Sequence, residues 1–102
     1  MKPSKPITIK EIKKILADNR DELARKYGVK EIGIFGSYVR REQKDRSDVD
    51  ILVEFCEPIG LFKFMELEEY LGKILGKKVD LVTREALKPH IGKHILEEVS
   101  YL

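Results

Sequence analysis

The sequence contains one cysteine, Cys56, and no tryptophan. A lone thiol excludes an intrachain disulfide and any zinc site built on paired cysteines. Nothing therefore points to an oxidising compartment. Long apolar runs are also missing, and none approaches the roughly 18 residues of a membrane-spanning helix. Met1 to Pro6 is basic, but no continuous apolar stretch follows it. A secretory leader is therefore not expected, and the expected location is cytoplasmic with no membrane contact. A dominant charge sign is lacking too: 20 Lys and Arg nearly balance 18 Asp and Glu, for a formal net charge of +2. Dedicated nucleic-acid binders are usually far more basic. A nucleotide site needs only local charge and stays open.

What is present suits one small domain. The chain has 102 residues, 42% hydrophobic and 37% charged, enough for one modest core. Residues 1–7 are expected to be a flexible tail and 8–102 a single domain. Thr8, three residues before Glu11, matches a helix start, and Ile9, Ile12, Ile15 and Leu16 recur at helical spacing. Asp18 or Asn19 interrupts this helix, and Leu23, Ala24 and Tyr27 continue in a second one that ends at Gly28. Val29 to Phe35 reads as a strand, Ser37 to about Glu42 as a helical turn, and Asp48 to Phe55 as the clearest strand. Leu61 to Leu75 is an amphipathic helix stopped by Gly76. Phe62 and Met65 belong to its apolar set and read as core. Lys78 to Thr83 is a third strand, and Ile91 to Leu102 is predicted to be a final helix. A long helix between the second and third strands is what a parallel crossover needs. The fold class is α/β (α+β), a mixed sheet of three strands or slightly more with helices packed on one face.

The sharpest feature is Asp48 and Asp50. Residues two apart on a strand point the same way, so both carboxylates leave the face opposite Val49 and Ile51. Like charges held this close need an offsetting cation. Asp80 is a third carboxylate inside the apolar run Val79-Asp80-Leu81-Val82, where an unpartnered charge is costly. If the third strand lies beside the second, Asp80 reaches the same place. Three such oxygens suit one or two Mg²⁺ ions. The plainer alternative is a solvated strand edge and capping groups.

Phe35-Gly36-Ser37 closes the first strand. Gly36 allows a close backbone approach, and the Ser37 hydroxyl with nearby N–H groups suits a phosphate. Arg40, three residues on, can bond a phosphate in bidentate fashion. The pattern is not a P-loop, since the Gly-rich run is absent. An ordinary turn with a cap is the competing reading.

Taken together, Gly36-Ser37-Tyr38-Val39-Arg40 and Ser47-Asp48-Val49-Asp50 resemble the signature of the DNA polymerase β-like nucleotidyltransferases: a Gly-Ser motif, an aspartate pair on the next strand and a third carboxylate on a later one. The short length is similar to the minimal prokaryotic members, including the MntA-type antitoxins of HEPN/MNT pairs. The resemblance implies the nucleotidyltransferase fold, with Asp48, Asp50 and Asp80 catalytic and holding two Mg²⁺ ions. It implies that Gly36 and Ser37 grip the β- and γ-phosphates of ATP, aided by Arg40. It also implies transfer of AMP to a tyrosine hydroxyl of a HEPN-domain toxin. The chain departs from many minimal members at Arg41, which stands where they carry glycine.

Two rivals remain. The chain neutralises its partner by contact alone, as a non-catalytic antitoxin, or the basic run Arg40, Arg41, Lys44 and Arg46 binds nucleic acid rather than forming a solvated rim. His90 and His94, four apart, lack a third ligand and read as surface or packing residues. Cys56 reads as a core or near-core residue.

Overall fold

The computed structural model describes residues 7–40, 48–86 and 95–102. Helix α1 spans Ile9–Asp18. The Thr8 hydroxyl accepts a hydrogen bond from the Glu11 N–H at 3.2 Å and donates to Glu11 Oε1 at the same distance, which satisfies one of the orphan donors at the helix start. Asn19 separates α1 from α2, Arg20–Tyr27. The Asn19 side chain donates to the Ile15 carbonyl at 2.8 Å and accepts from the Tyr70 hydroxyl at 2.9 Å. The interruption expected at Asp18 or Asn19 thus has a mechanism: the amide competes for the backbone of its own helix.

Strand β1 covers Val29–Phe35, the short helix α3 Ser37–Arg40, strand β2 Val49–Phe55, helix α4 Leu61–Leu75 and strand β3 Val79–Thr83. A 3₁₀ turn follows at Arg84–Ala86, residues 95–98 are helical, and Ser100–Tyr101 forms strand β4. The four strands lie in the order β3-β2-β1-β4. β2 and β3 run parallel across the α4 crossover, while β1 is antiparallel to both β2 and β4. The sheet is mixed, as anticipated, with one more strand than the three that are plain in the sequence.

Alternation along the strands decides which face is buried. Val49, Ile51 and Val53 of β2 face a core with Ile32, Ile34, Val79 and Leu81, and α1, α2 and α4 cover it through Ile12, Leu16, Leu23, Leu67 and Leu71. β3 is an edge strand. Its Leu81 N–H donates to the Glu68 carboxylate on α4 at 3.0 Å, so a side chain blunts an edge donor that would otherwise invite pairing.

Three expectations are corrected. Ile91 to Leu102 does not continue as a helix: its described part is helical only at 95–98, and the chain then joins β1 as a strand. The open edge of β1 offers a hydrogen-bond ladder, and Leu102 N–H donates to Ile32 O at 3.2 Å. Phe62 and Met65 are not core but 86% and 55% exposed, beside Leu61 at 70%. They precede the buried face of α4 carried by Leu67, Leu71 and Leu75, with Phe64, Tyr70 and Ile74 partly buried beside it. Cys56 is exposed, because the chain leaves the core directly after Phe55. His90 and His94 lie outside the described residues.

Gly33 admits the C-terminal strand. A Cβ placed there would lie 2.6 Å from Val99 Cγ1 and 3.2 Å from the Ser100 carbonyl, so the close approach requires glycine. The Gly33→Ala variant is expected to detach β4 while the main core persists. Hydrogen exchange of the Leu102 amide should quicken about tenfold or more, and unchanged exchange would contradict this packing.

Candidate active site

The parallel pairing of β2 with β3 places Asp50 and Asp80 at adjacent register positions. Asp48 precedes β2 by one residue, and its place is fixed by the next residue, since Val49 N–H donates to the Lys78 carbonyl at 2.9 Å. On the other side, Asp50 is the register partner of Phe35, the last residue of β1. The Gly36 turn therefore follows directly beside it. Three elements converge here: the start of β2, the start of β3 and the end of β1. All lie on the face opposite the helical layer.

Gly36 has φ = 79°, in the left-handed region where a side chain is strained. It also has no room for one: a Cβ on Gly36 would overlap the Asp50 carboxylate. The two facts have one consequence, a bare backbone pressed against the acidic centre. The Gly36 carbonyl accepts from Val39 N–H at 3.1 Å and from Arg40 N–H at 3.2 Å, which winds α3 and sets Ser37, half-buried, at its first turn. Arg40 extends from the last residue of α3 to Glu98, with Nη1 donating to Oε1 at 2.7 Å.

Electrostatics single out Asp50. Its carboxyl is pushed up from 3.8 to about 6, first by burial and then by repulsion from Asp80, Asp48 and Glu98, with Arg40 opposing. Burial and like charges act in one direction, and a divalent cation would reverse both. Among the described residues, no three carboxylate, imidazole or thiolate groups already converge as a closed metal cage. Mg²⁺ does not need one, because it keeps several waters and is held by one or two carboxylates plus substrate phosphates. An acidic cluster with one half-buried, repelled carboxylate fits that mode. Asp80, exposed on the edge strand, can be approached from solvent.

A cavity of about 390 Å³ lies elsewhere, beside the far end of β2 at Phe55, Cys56, Pro58, Ile59, Leu61 and Phe64. It is roughly 16 Å along the strand from Asp50. Glu54, Glu57 and Glu85 line it together with Arg84, but it is remote from the Gly36 turn and the three aspartates. Of the basic run, Arg40 is at the site, while Arg41, Lys44 and Arg46 fall outside the described residues, as does Ser47.

Glu98 and β4 were not foreseen. Glu98 looks like one more charge in an acidic pair, Glu97-Glu98, and no local pattern reports a contact made 62 residues away.

Two outcomes follow. Because folding raises the Asp50 pKa, this carboxyl's contribution to stability is fullest below about pH 4 and is lost as pH rises through about 6. In chelator, Asp50→Asn should therefore raise Tm at pH 7 by about 2–6 °C, a shift limited by solvent screening, and should leave it unchanged near pH 3.5. A lower Tm at pH 7 would contradict the repulsion. Gly36→Ala should destabilise the fold by about 1–3 kcal/mol in denaturant titration, and a neutral result would contradict the close approach.

Comparison with known proteins identifies the family. A family model described as the nucleotidyltransferase domain matches residues 9–102. A protein adenylyltransferase MntA from Thermococcus cleftensis is 54% identical over 96 residues, covering 94% of this chain and 97% of the relative. A solved structure of a minimal nucleotidyltransferase superposes with TM-score 0.82 at 28% identity, covering 97% of this chain and all of that one. A crystal structure of a toxin–antitoxin pair with AMP-PNP gives TM-score 0.69 at 25% identity, covering 93% of this chain and 72% of that one. This chain belongs to the nucleotidyltransferase domain family.

Proposed function

We propose that this nucleotidyltransferase transfers AMP from ATP to a tyrosine hydroxyl of a HEPN-domain toxin and acts as its antitoxin. The observation that carries the reading is the adjacency of Asp50 and Asp80 across β2 and β3, with Asp48 beside them and the Gly36 backbone against Asp50. The likeness to a protein adenylyltransferase MntA supports the reaction, and the likeness to a toxin–antitoxin pair holding AMP-PNP supports the nucleotide and the kind of partner.

In this reading Asp48 and Asp50 hold Mg²⁺ with the triphosphate, and Asp80 completes the site. Bound Mg²⁺ would supply Lewis acidity and offset the charge that develops on the phosphate oxygens. Gly36 N–H, the Ser37 hydroxyl and Arg40 bind and orient the β- and γ-phosphates. The acceptor oxygen attacks the α-phosphorus, the bond to the β-phosphate bridge oxygen breaks, and pyrophosphate leaves. Asp80, exposed at the sheet edge, stands on the side from which an acceptor hydroxyl arrives and receives its proton. The chain's own contribution is placement: Asp50 and Asp80 fixed by strand register, and Asp48 next to the first residue of β2.

A second reading, neutralisation by contact alone, is favoured by one observation, the exposed apolar run Leu61, Phe62 and Met65 on α4. The two readings separate in one experiment. The chain, its partner toxin, Mg²⁺ and ATP labelled on the α-phosphate are incubated and label on the toxin is counted. The wild type should transfer label, and Asp48→Asn with Asp50→Asn should lower the rate by about 10³-fold or more. If the double variant still binds and neutralises the toxin in cells at normal protein levels, contact suffices and the catalytic reading of the biology falls.

A further inference from the structure

Glu98 already occupies the place proposed for the nucleotide phosphates. Its Oε2 accepts from Gly36 N–H at 3.1 Å and its Oε1 from Arg40 Nη1 at 2.7 Å. One backbone N–H and one guanidinium form a donor pair that binds a carboxylate or a phosphate oxygen equally well. The carboxylate is not a chance surface neighbour. Its side chain is only 21% exposed, and the next three residues fix its backbone: Val99 packs against Gly33, and Ser100 and Tyr101 pair with Ile34 and Gly33 of β1. The fold thus delivers an anion from the C-terminal segment to the Gly-Ser turn.

The Arg40 guanidinium has five donors, but the single Gly36 N–H cannot serve two anions at once. A phosphate entering at Gly36 and Arg40 must displace the Glu98 carboxylate or settle elsewhere. While Glu98 stays, it also adds a negative charge near Asp50, which opposes an incoming polyphosphate at short range. Resting on the nucleotide site proposed above, we infer that Glu98 is an intramolecular stand-in for phosphate: it holds the Gly36–Arg40 grip in shape in the free chain, is expelled by the triphosphate, and so sets how tightly nucleotide binds. The opposite role, a brace that the bound phosphate needs, predicts the reverse sign on mutation.

The experiment is calorimetric titration of the full chain with MgATP, for the wild type, Glu98→Gln and Glu97→Gln. Glu97 is exposed one residue away on the same turn and controls for net charge. Glu98→Gln should tighten MgATP binding about tenfold, with Glu97→Gln within about twofold of wild type. Unchanged or weaker binding in Glu98→Gln overturns the inference, as does equal tightening in both variants, which would reflect general charge. Absence of MgATP binding in the wild type overturns the nucleotide site itself, a result distinguishable from the others. A measurement without mutation guards against misfolding of the variant. The carboxyl ¹³C resonance of Glu98 in the wild-type chain should move to that of a solvated glutamate on adding MgATP, and an unmoved resonance overturns the displacement.

Discussion

Repulsion between carboxylates held in register is the constraint around which this small domain is arranged. Strand pairing puts Asp50 next to Asp80, and burial denies Asp50 the water that would screen it. A fold selected for stability alone would not hold this arrangement, because neutral side chains at these positions would relieve the strain. A cationic ligand at the acidic centre would relieve this repulsion.

The scaffold does this economically. The core residues Val49 and Ile51 are wholly buried under the helical layer, and they alternate with Asp48 and Asp50 along one strand, so the same hydrophobic packing that stabilises the sheet aims the carboxylates away from it. The crossover helix α4 makes β3 parallel to β2 and brings Asp80 into line. Gly36 closes the site from the β1 side with bare backbone. The C-terminal segment completes the enclosure: β4 zips onto β1, and Glu98 reaches the turn. Stability and site geometry therefore draw on the same contacts, and a change at Gly33 would be felt at Gly36 through β4 and Glu98.

Much of this was legible in the sequence, for reasons that differ by residue. Asp48 and Asp50 stood out because strand alternation is strict and a charged pair opposite Val49 and Ile51 has only one face to occupy. Asp80 was legible because a charge inside an apolar strand demands an explanation, and the helix between the strands predicted their parallel pairing. Phe62 and Met65 misled because periodicity identifies an apolar helix face but not where the helix begins to touch the sheet. Ser100 and Tyr101 misled because the last apolar positions also fit a helical spacing, and only the vacant edge of β1 turns them into a strand. Glu98 was invisible, since its partners come from the opposite end of the domain and no local pattern encodes a contact of that range.

In the proposed function, these three aspartates and the Gly-Ser turn gather a divalent cation and a triphosphate at one point. The most direct measurement is a crystal of the chain grown with Mn²⁺ and AMP-PNP, with anomalous scattering collected to locate the metal. An anomalous peak is expected within coordination distance of Asp48 and Asp50 and of the nucleotide phosphates, with the phosphates at Gly36. A metal and nucleotide bound away from these aspartates, or phosphates seated beside the Phe55 cavity, would contradict it.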